Sequence, residues 1–237
     1  MKAAWREINA FLGRYLSPAV RAILIINVAL FVLHVLLTPF FRTADVCFFL
    51  LMQTPALVLR QFCLWQLVTY MFMHASFGHL FFNMLILWFF APRLEYRWGT
   101  ARFVRFYLTV GVGAGLFHIL MAFMPPGHLN STMLGASGAL YGVMLAYALN
   151  WPDDLVLVYF VLPIKIKYLM IILVLFTFLF SLSGSQAGGI SHVTHLGGFL
   201  VALVYLKGGQ WFGGRPTGRR RKAKILEVDP RRHPDFR

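Results

Sequence analysis

The stretch Gly135-Ala136-Ser137-Gly138-Ala139-Leu140-Tyr141-Gly142 is the most informative part of this chain. It places a hydroxyl side chain, Ser137, among small residues at the start of an apolar segment that continues to Leu149. An imidazole, His195, also lies in apolar sequence and is followed by small residues. A serine beside a base is the usual arrangement of an activated nucleophile. The two positions therefore suggest a hydrolytic site inside a membrane.

The composition is that of a membrane protein. Of the 237 residues, 59% are hydrophobic, only 13% are charged and 24 are phenylalanine, and the mean hydropathy is +0.70. A soluble domain carries about 25% charged residues. We therefore expect one integral membrane domain. We expect no removable signal peptide, because the first residues lack a short apolar core followed by a small-residue cleavage site.

Six apolar segments predict an all-α polytopic membrane protein. They are Ala22–Leu37, Gly78–Pro92, Phe106–Met124, Ser137–Asn150, Tyr168–Leu182 and His192–Leu206. The fourth would be only ~21 Å long at 1.5 Å per residue, which is too short to cross a bilayer alone. Its neighbours should therefore shield it, and its end should border protein or a water-filled cavity.

The basic residues predict the orientation. All of the 22 lysines and arginines except Arg42 and Arg60 fall in the N-terminal region, the second and fourth connections or the C-terminal region. Both termini are therefore expected on the cytoplasmic side. Spans two, four and six then begin at the opposite face, which brings His79, Ser137 and His195 to one leaflet. The net charge of +14 follows from topology and anionic lipid better than from nucleic acid, so no nucleic-acid partner is expected.

The small residues also have a purely structural interpretation. Gly138 with Gly142, and Gly198 with Ala202, are small-xxx-small pairs that usually just let helices pack closely. The two interpretations are compatible, because close packing at these glycines would bring the serine hydroxyl to the imidazole.

Four motifs resemble those of the rhomboid intramembrane serine proteases. Besides the serine motif they are His195-Leu196-Gly197-Gly198, His79-Leu80-Phe81-Phe82-Asn83 and Glu95-Tyr96-Arg97-Trp98-Gly99. The similarity runs from about Ala19 to Leu206. It implies a six-transmembrane-helix bundle with an embedded first loop, and cleavage of single-pass membrane proteins within or near their transmembrane segments.

The catalytic roles follow from chemistry and from this resemblance. Ser137 is expected to attack the scissile carbonyl, and His195 to take its proton and return it to the leaving amine. No aspartate lies near the outer ends of spans four and six, since Asp153 and Asp154 fall on the cytoplasmic side. The site is therefore expected to be a Ser–His dyad without a third member.

The resemblance also assigns supporting residues. It gives His79 and Asn83 a role in holding the oxyanion, and the alternative is a hydrogen-bonded pair between helices. It places Tyr141 against the imidazole, and the alternative is a tyrosine packed between helices. The supporting glycines are Gly135, Gly138 and Gly198.

A metal site is the competing chemistry. His74, His79, His192 and His195 could gather at one face, but the chain has no H-E-x-x-H motif and its spans are nearly free of acidic residues. We therefore expect no metal and no cofactor. His192 is given no role.

The sequence predicts three regions. Residues 1–18 form an amphipathic cytoplasmic segment, 19–206 the protease domain and 207–237 a basic cytoplasmic tail. The first loop, about Thr38 to Phe77, is too apolar for water and is expected to be embedded in the outer leaflet. Its cysteines, Cys47 and Cys63, could pair in an oxidising compartment, although two free thiols buried in lipid or protein are favoured. The sequence does not give the oligomeric state.

One departure from the family pattern and two rival functions remain. The family's first loop usually carries a Trp-Arg pair, whereas Gln66 follows Trp65 here, which leaves the anchoring of that loop open. A quality-control adaptor on the same fold would bind unstable helices without cutting them, but intact Ser137 and His195 argue against it. A transporter or channel would need a polar path through the membrane and broken helices near its midplane, whereas the polar residues here gather mainly at the outer ends of spans two, four and six. The short loops suit a prokaryotic plasma membrane.

Overall fold

The fold is described from a computed structural model of the chain, which covers residues 16–123, 129–158, 161–182 and 192–211. Most of the expected amphipathic N-terminal segment and most of the basic tail lie outside these residues. The helices are α1 (Pro18–Leu37), α2 (Arg42–Leu51), α3 (Pro55–Arg60), α4 (Gln66–Thr69), α5 (Phe77–Trp98), α6 (Thr100–Met121), α7 (Ser137–Asn150), α8 (Ile166–Leu182) and α9 (His192–Trp211), with a 3₁₀ turn at Tyr70–Phe72.

Three of the described helices, α1, α5 and α6, are long and apolar enough to cross a membrane, and α8 is apolar over a shorter length. Each of the six apolar segments predicted from the sequence overlaps one helix. Helix α7 has 14 residues and packs between α5, α6 and α9, and most of its residues are buried. The short fourth segment is thus shielded by its neighbours, as expected from its length.

Glycines bring α7 and α9 into backbone contact. A Cβ atom at Gly198 would lie 2.0 Å from the carbonyl oxygen of Gly138, and one at Gly142 would lie 3.0 Å from the Cβ atom of Ala202. Only a residue without a side chain allows the first of these approaches. The contact positions the start of α7 beside the start of α9.

The segment before α7 is pinned by the first loop. Gln53 and Met133 form an antiparallel bridge, and the Gly135 N–H donates to the carbonyl of Tyr70 at 2.9 Å. Gly135 has φ +113°, a conformation that favours glycine, and this turn aims the chain into α7.

Gln66 anchors the first loop through hydrogen bonds to backbone groups. Its buried side-chain amide accepts from the Thr54 N–H at 3.0 Å and donates to the Leu50 carbonyl at 3.1 Å. The indole of Trp65 donates to the same carbonyl at 3.0 Å. Cys47 and Cys63 are free thiols.

The fourth motif joins three helices. The buried Glu95 carboxylate accepts from the Ser17 hydroxyl at 2.5 Å and from the Ala19 and Val20 N–H groups at 2.9 and 3.0 Å. It also accepts from the Thr100 hydroxyl at 2.6 Å. Glu95 thereby caps the N-terminus of α1, where a negative charge is favourable.

One element departs from the all-α expectation. Strands β1 (Leu155–Val158) and β2 (Leu162–Lys165) pair antiparallel between α7 and α8. The pairing gives hydrogen-bond partners to a segment rich in β-branched and apolar residues that is too short for a stable helix. The described part of the chain is otherwise mainly helical.

Candidate active site

The structure brings Ser137 and His195 into hydrogen-bond contact. The Ser137 Oγ atom lies 2.8 Å from the Nε2 atom of His195. Ser137 is the first residue of α7, and His195 lies in the first turn of α9. His195 is only 5% exposed. The distance is that of a nucleophile and its general base.

Tyr141 stacks on the His195 imidazole. The ring centroids are 4.2 Å apart and the planes differ by 10°. Phe199 also packs against Tyr141, with the ring centroids 5.0 Å apart and the planes nearly perpendicular. Tyr141 follows Ser137 by one turn of α7, so one helix supplies both the serine and the aromatic surface that packs against the imidazole.

Among the described residues, no carboxylate contacts His195. Its Nδ1 atom is buried and has no hydrogen-bond partner in that part of the chain. Asp153 and Asp154 lie past the opposite end of α7, where Asp154 pairs with Arg93 and Asp153 with Lys165 and Lys167. The geometry is that of a serine–histidine pair.

His79 and Asn83 lie together on one face of α5. The Asn83 amide donates to the His79 carbonyl at 2.7 Å, while its Oδ1 atom is buried without a described partner. The Ser76 hydroxyl accepts from the His79 N–H at 3.2 Å, which caps α5. A Cβ atom at Gly135 would lie 2.7 Å from the His79 ring, so this glycine also makes room for the imidazole.

These side chains share one cavity of about 370 Å³. Its lining residues are Ala75, Ser76, Gly78, His79, Phe82, Asn83, Ile86, Ser137, Tyr141 and His195. Five of them were named from the sequence, and the other five were missed. Phe82 and Ile86 had a usable signal, because they follow His79 by three and seven residues and so share its helix face.

His74 and His192 lie near this cavity but form no metal site in the described part of the chain. There, no group of three or more His, Cys, Asp or Glu side chains could hold a metal ion. His74 packs edge-on against His79 with ring centroids 5.0 Å apart, and His192 lies 6.3 Å from His195. Burial lowers the pKa of His74 to about 3, so this imidazole is neutral.

Comparison with known proteins identifies the fold family. Residues 61–209 match the family model described as "Rhomboid domain". The chain is 32% identical over 144 residues to the "Putative rhomboid protease YdcA" of Bacillus subtilis, covering 59% of this chain and 66% of that protein. It is 29% identical over 206 residues to "Rhomboid-like protease 3" of Toxoplasma gondii, covering 85% of this chain and 73% of that protein.

One of the similar proteins is mitochondrial. "Rhomboid protein 1, mitochondrial" of Saccharomyces cerevisiae is 27% identical over 160 residues, covering 65% of this chain and 43% of the yeast protein. The chain thus spans less than half of the length of that relative. Because the family model matches more than half of the chain and the helices are apolar, this integral membrane protein belongs to the rhomboid family.

Proposed function

We propose that the protein is an intramembrane serine endopeptidase that cleaves transmembrane segments with a Ser137–His195 dyad. The observation that carries the proposal is the 2.8 Å contact between the hydroxyl and the imidazole, inside a protein that belongs to the rhomboid family. Two of the similar proteins are named as proteases, which supports the same chemistry.

The reaction proceeds in two steps. The Ser137 oxygen attacks the scissile carbonyl while its proton passes to His195 Nε2. The tetrahedral intermediate collapses to an acyl-enzyme as His195 gives that proton to the leaving amine. Water then attacks the acyl-enzyme with His195 again acting as base, which releases the new carboxylate and restores Ser137. The stacked Tyr141 holds the imidazole in the plane that both transfers need.

The negative charge that develops on the carbonyl oxygen must be stabilised by hydrogen-bond donors. The Ser137 N–H lies at the start of α7, where backbone N–H groups have no intrahelical partner. His79 and Asn83 line the same cavity from α5 and supply side-chain N–H groups. We assign these three residues to the oxyanion hole.

The membrane arrangement is part of the proposal. Six helices, α1 and α5 to α9, would form the bundle, with both termini cytoplasmic because of the distribution of basic residues. The first loop would be embedded in the outer leaflet, since it exposes large apolar side chains, among them Phe40, Phe41 and Phe62. Substrates would be single-pass membrane proteins, and the host membrane a prokaryotic plasma membrane.

Labelling with a fluorophosphonate tests the dyad without knowledge of the substrate. The expected result is one covalent adduct, mapped by mass spectrometry to Ser137 and lost in Ser137→Ala and His195→Ala. His192→Ala is the matched control, because it removes an imidazole one turn away and should keep the adduct. An adduct that forms equally well in His195→Ala would overturn the proposed role of the base. A folded wild type that resists labelling and cleaves no substrate would favour the adaptor function.

A further inference from the structure

The strands β1 and β2 lie at the end of the protein opposite Ser137. They follow α7 directly, and the chain before β1 is tied to α5 and α7. Asp154 forms an ion pair with Arg93 and accepts from the Tyr147 hydroxyl at 2.7 Å. Because Arg93 lies near the C-terminal end of α5, the start of β1 is level with that end of a membrane-spanning helix.

Basic and aromatic side chains mark this level as a membrane interface. The Arg93 guanidinium lies 4.1 Å from the centre of a Trp151 ring, and that of Arg97 lies 5.3 Å from the same ring. The ammonium group of Lys167 lies 5.2 Å from the Tyr168 ring. Tryptophan and tyrosine beside lysine and arginine are typical of the headgroup region.

One face of the two strands carries three apolar residues and one lysine and is turned outwards. The register pairs Leu155 with Lys165 and Leu157 with Pro163, so these four residues share a face, which we name the outer face. Leu155 and Leu157 are 65% and 55% exposed. Val156 points the opposite way and packs against the core. The strands therefore lie against the helical domain through Val156, and the outer face points away from that domain.

We propose that the outer face is seated in the adjacent lipid leaflet, at the boundary between acyl chains and headgroups, with Lys165 and Lys167 beside anionic lipid headgroups. Three observations carry the proposal. Leucines of this exposure at the interface level would otherwise face water. The two ammonium groups share one carboxylate, Asp153, at 3.1 and 2.8 Å, which leaves net positive charge for anionic lipid.

The third observation is that the outer face continues the exposed apolar surface of α8. Helix α8 begins directly after β2, and its first turns expose Tyr168, Ile171 and Ile172 as a surface suited to lipid. The outer face extends that surface to the interface, as an amphipathic element lying in the membrane plane does. The inference does not depend on proteolysis.

Spin-label accessibility tests the location of the outer face. A nitroxide is attached to Leu157→Cys in the full chain, with Cys47→Ser and Cys63→Ala as background, in vesicles containing phosphatidylglycerol. Leu155→Cys is a second labelling site, and Leu175→Cys on α8 is the lipid-facing reference.

The expected result is that collisions with oxygen exceed those with a water-soluble nickel chelate at position 157, approaching the behaviour at Leu175. Nickel access as high as that of free label in buffer would place the face in water and overturn the proposal. Low access to both reagents would show that protein covers the face, through a second copy or a partner, and would also overturn it.

Two double variants that each remove two positive charges test whether Lys165 and Lys167 contact anionic lipid headgroups. Replacing phosphatidylglycerol with phosphatidylcholine should move the label at position 157 towards water. The double variant Lys165→Gln with Lys167→Gln should abolish this shift, whereas Arg102→Gln with Arg105→Gln should retain it. A shift that persists without the two lysines would contradict their role.

Discussion

The carbonyl oxygen of Gly138 occupies the space where a side chain of Gly198 would begin, since a Cβ atom at 198 would lie only 2.0 Å from it. This contact follows Ser137 by one residue and His195 by three. The separation of α7 and α9 at this point therefore sets the distance between Ser137 and His195.

Gly198→Ala should lower the proposed proteolytic activity by moving the helices apart. The added methyl group would meet the Gly138 carbonyl, and backbone cannot rotate away as a flexible side chain can. One of the two helices must therefore shift, which lengthens the 2.8 Å contact between Ser137 and His195. We expect overpacking to cost about 1–3 kcal/mol, and kcat to fall with the displaced base.

Gly208→Ala is the matched control, because a Cβ atom at 208 on the same helix meets nothing within 4 Å. Thermal unfolding and kcat should both be close to wild type in this variant. Wild-type kcat in Gly198→Ala would show that the glycine contact does not set the geometry of the dyad.

Asn83→Ala should lower kcat with little change in KM. If the amide stabilises charge only in the transition state, its removal costs about 10²–10³ in kcat. Ile86→Ala is the control, since it truncates another cavity-lining residue on α5 that carries no hydrogen-bond donor. A rise in KM alone would assign Asn83 to substrate binding.

The aromatic ring of Tyr141, and not its hydroxyl group, should support the proposed activity by orienting the His195 imidazole. Tyr141→Phe keeps the stacked surface and should retain kcat, whereas Tyr141→Ala removes it. An aromatic pair contributes about 0.5–1.5 kcal/mol beyond area burial, so we expect a loss of up to about tenfold in kcat. A loss in Tyr141→Phe as large as that in Tyr141→Ala would move the role to the hydroxyl.

Glu95→Gln should destabilise the fold without altering the dyad. The carboxylate accepts four hydrogen bonds that join α1, α5 and α6, and an amide replaces one acceptor oxygen with a donor. We expect a loss of about 1–3 kcal/mol in the free energy of unfolding. Thermal unfolding in detergent measures it, and the variant should keep wild-type kcat per folded molecule. Unchanged unfolding would show that Glu95 does not hold these helices together.

The sequence predicted the parts of the site that local patterns carry. Short-range spacing in the sequence was enough to identify the serine and histidine motifs, the i, i+4 pair His79 and Asn83, and Tyr141 four residues after Ser137. The structure brings Ser137, His195, His79, Asn83 and Tyr141 to one cavity. The short length of α7 predicted that its neighbours would shield it.

Other features depend on tertiary contacts that no local pattern carries. Gln66 anchors the first loop by bonding backbone groups of Thr54 and Leu50, which residue identity alone does not reveal. The strands β1 and β2 were missed because two four-residue apolar runs between spans look like ends of helices. The lining residues Ala75, Ser76 and Gly78 belong to no motif, and they reach the cavity from the turn before α5 and from the first residues of that helix.

Cleavage of a membrane protein in liposomes tests the Ser137–His195 dyad on its proposed substrate class. Wild type, Ser137→Ala and His195→Ala are reconstituted with a single-pass substrate that carries glycine near the expected scissile bond, which eases local unwinding of its helix. We expect cleavage by wild type and a loss of about 10³-fold or more in both variants, each with wild-type helical content. Cleavage that persists in folded Ser137→Ala at the wild-type rate would contradict the dyad.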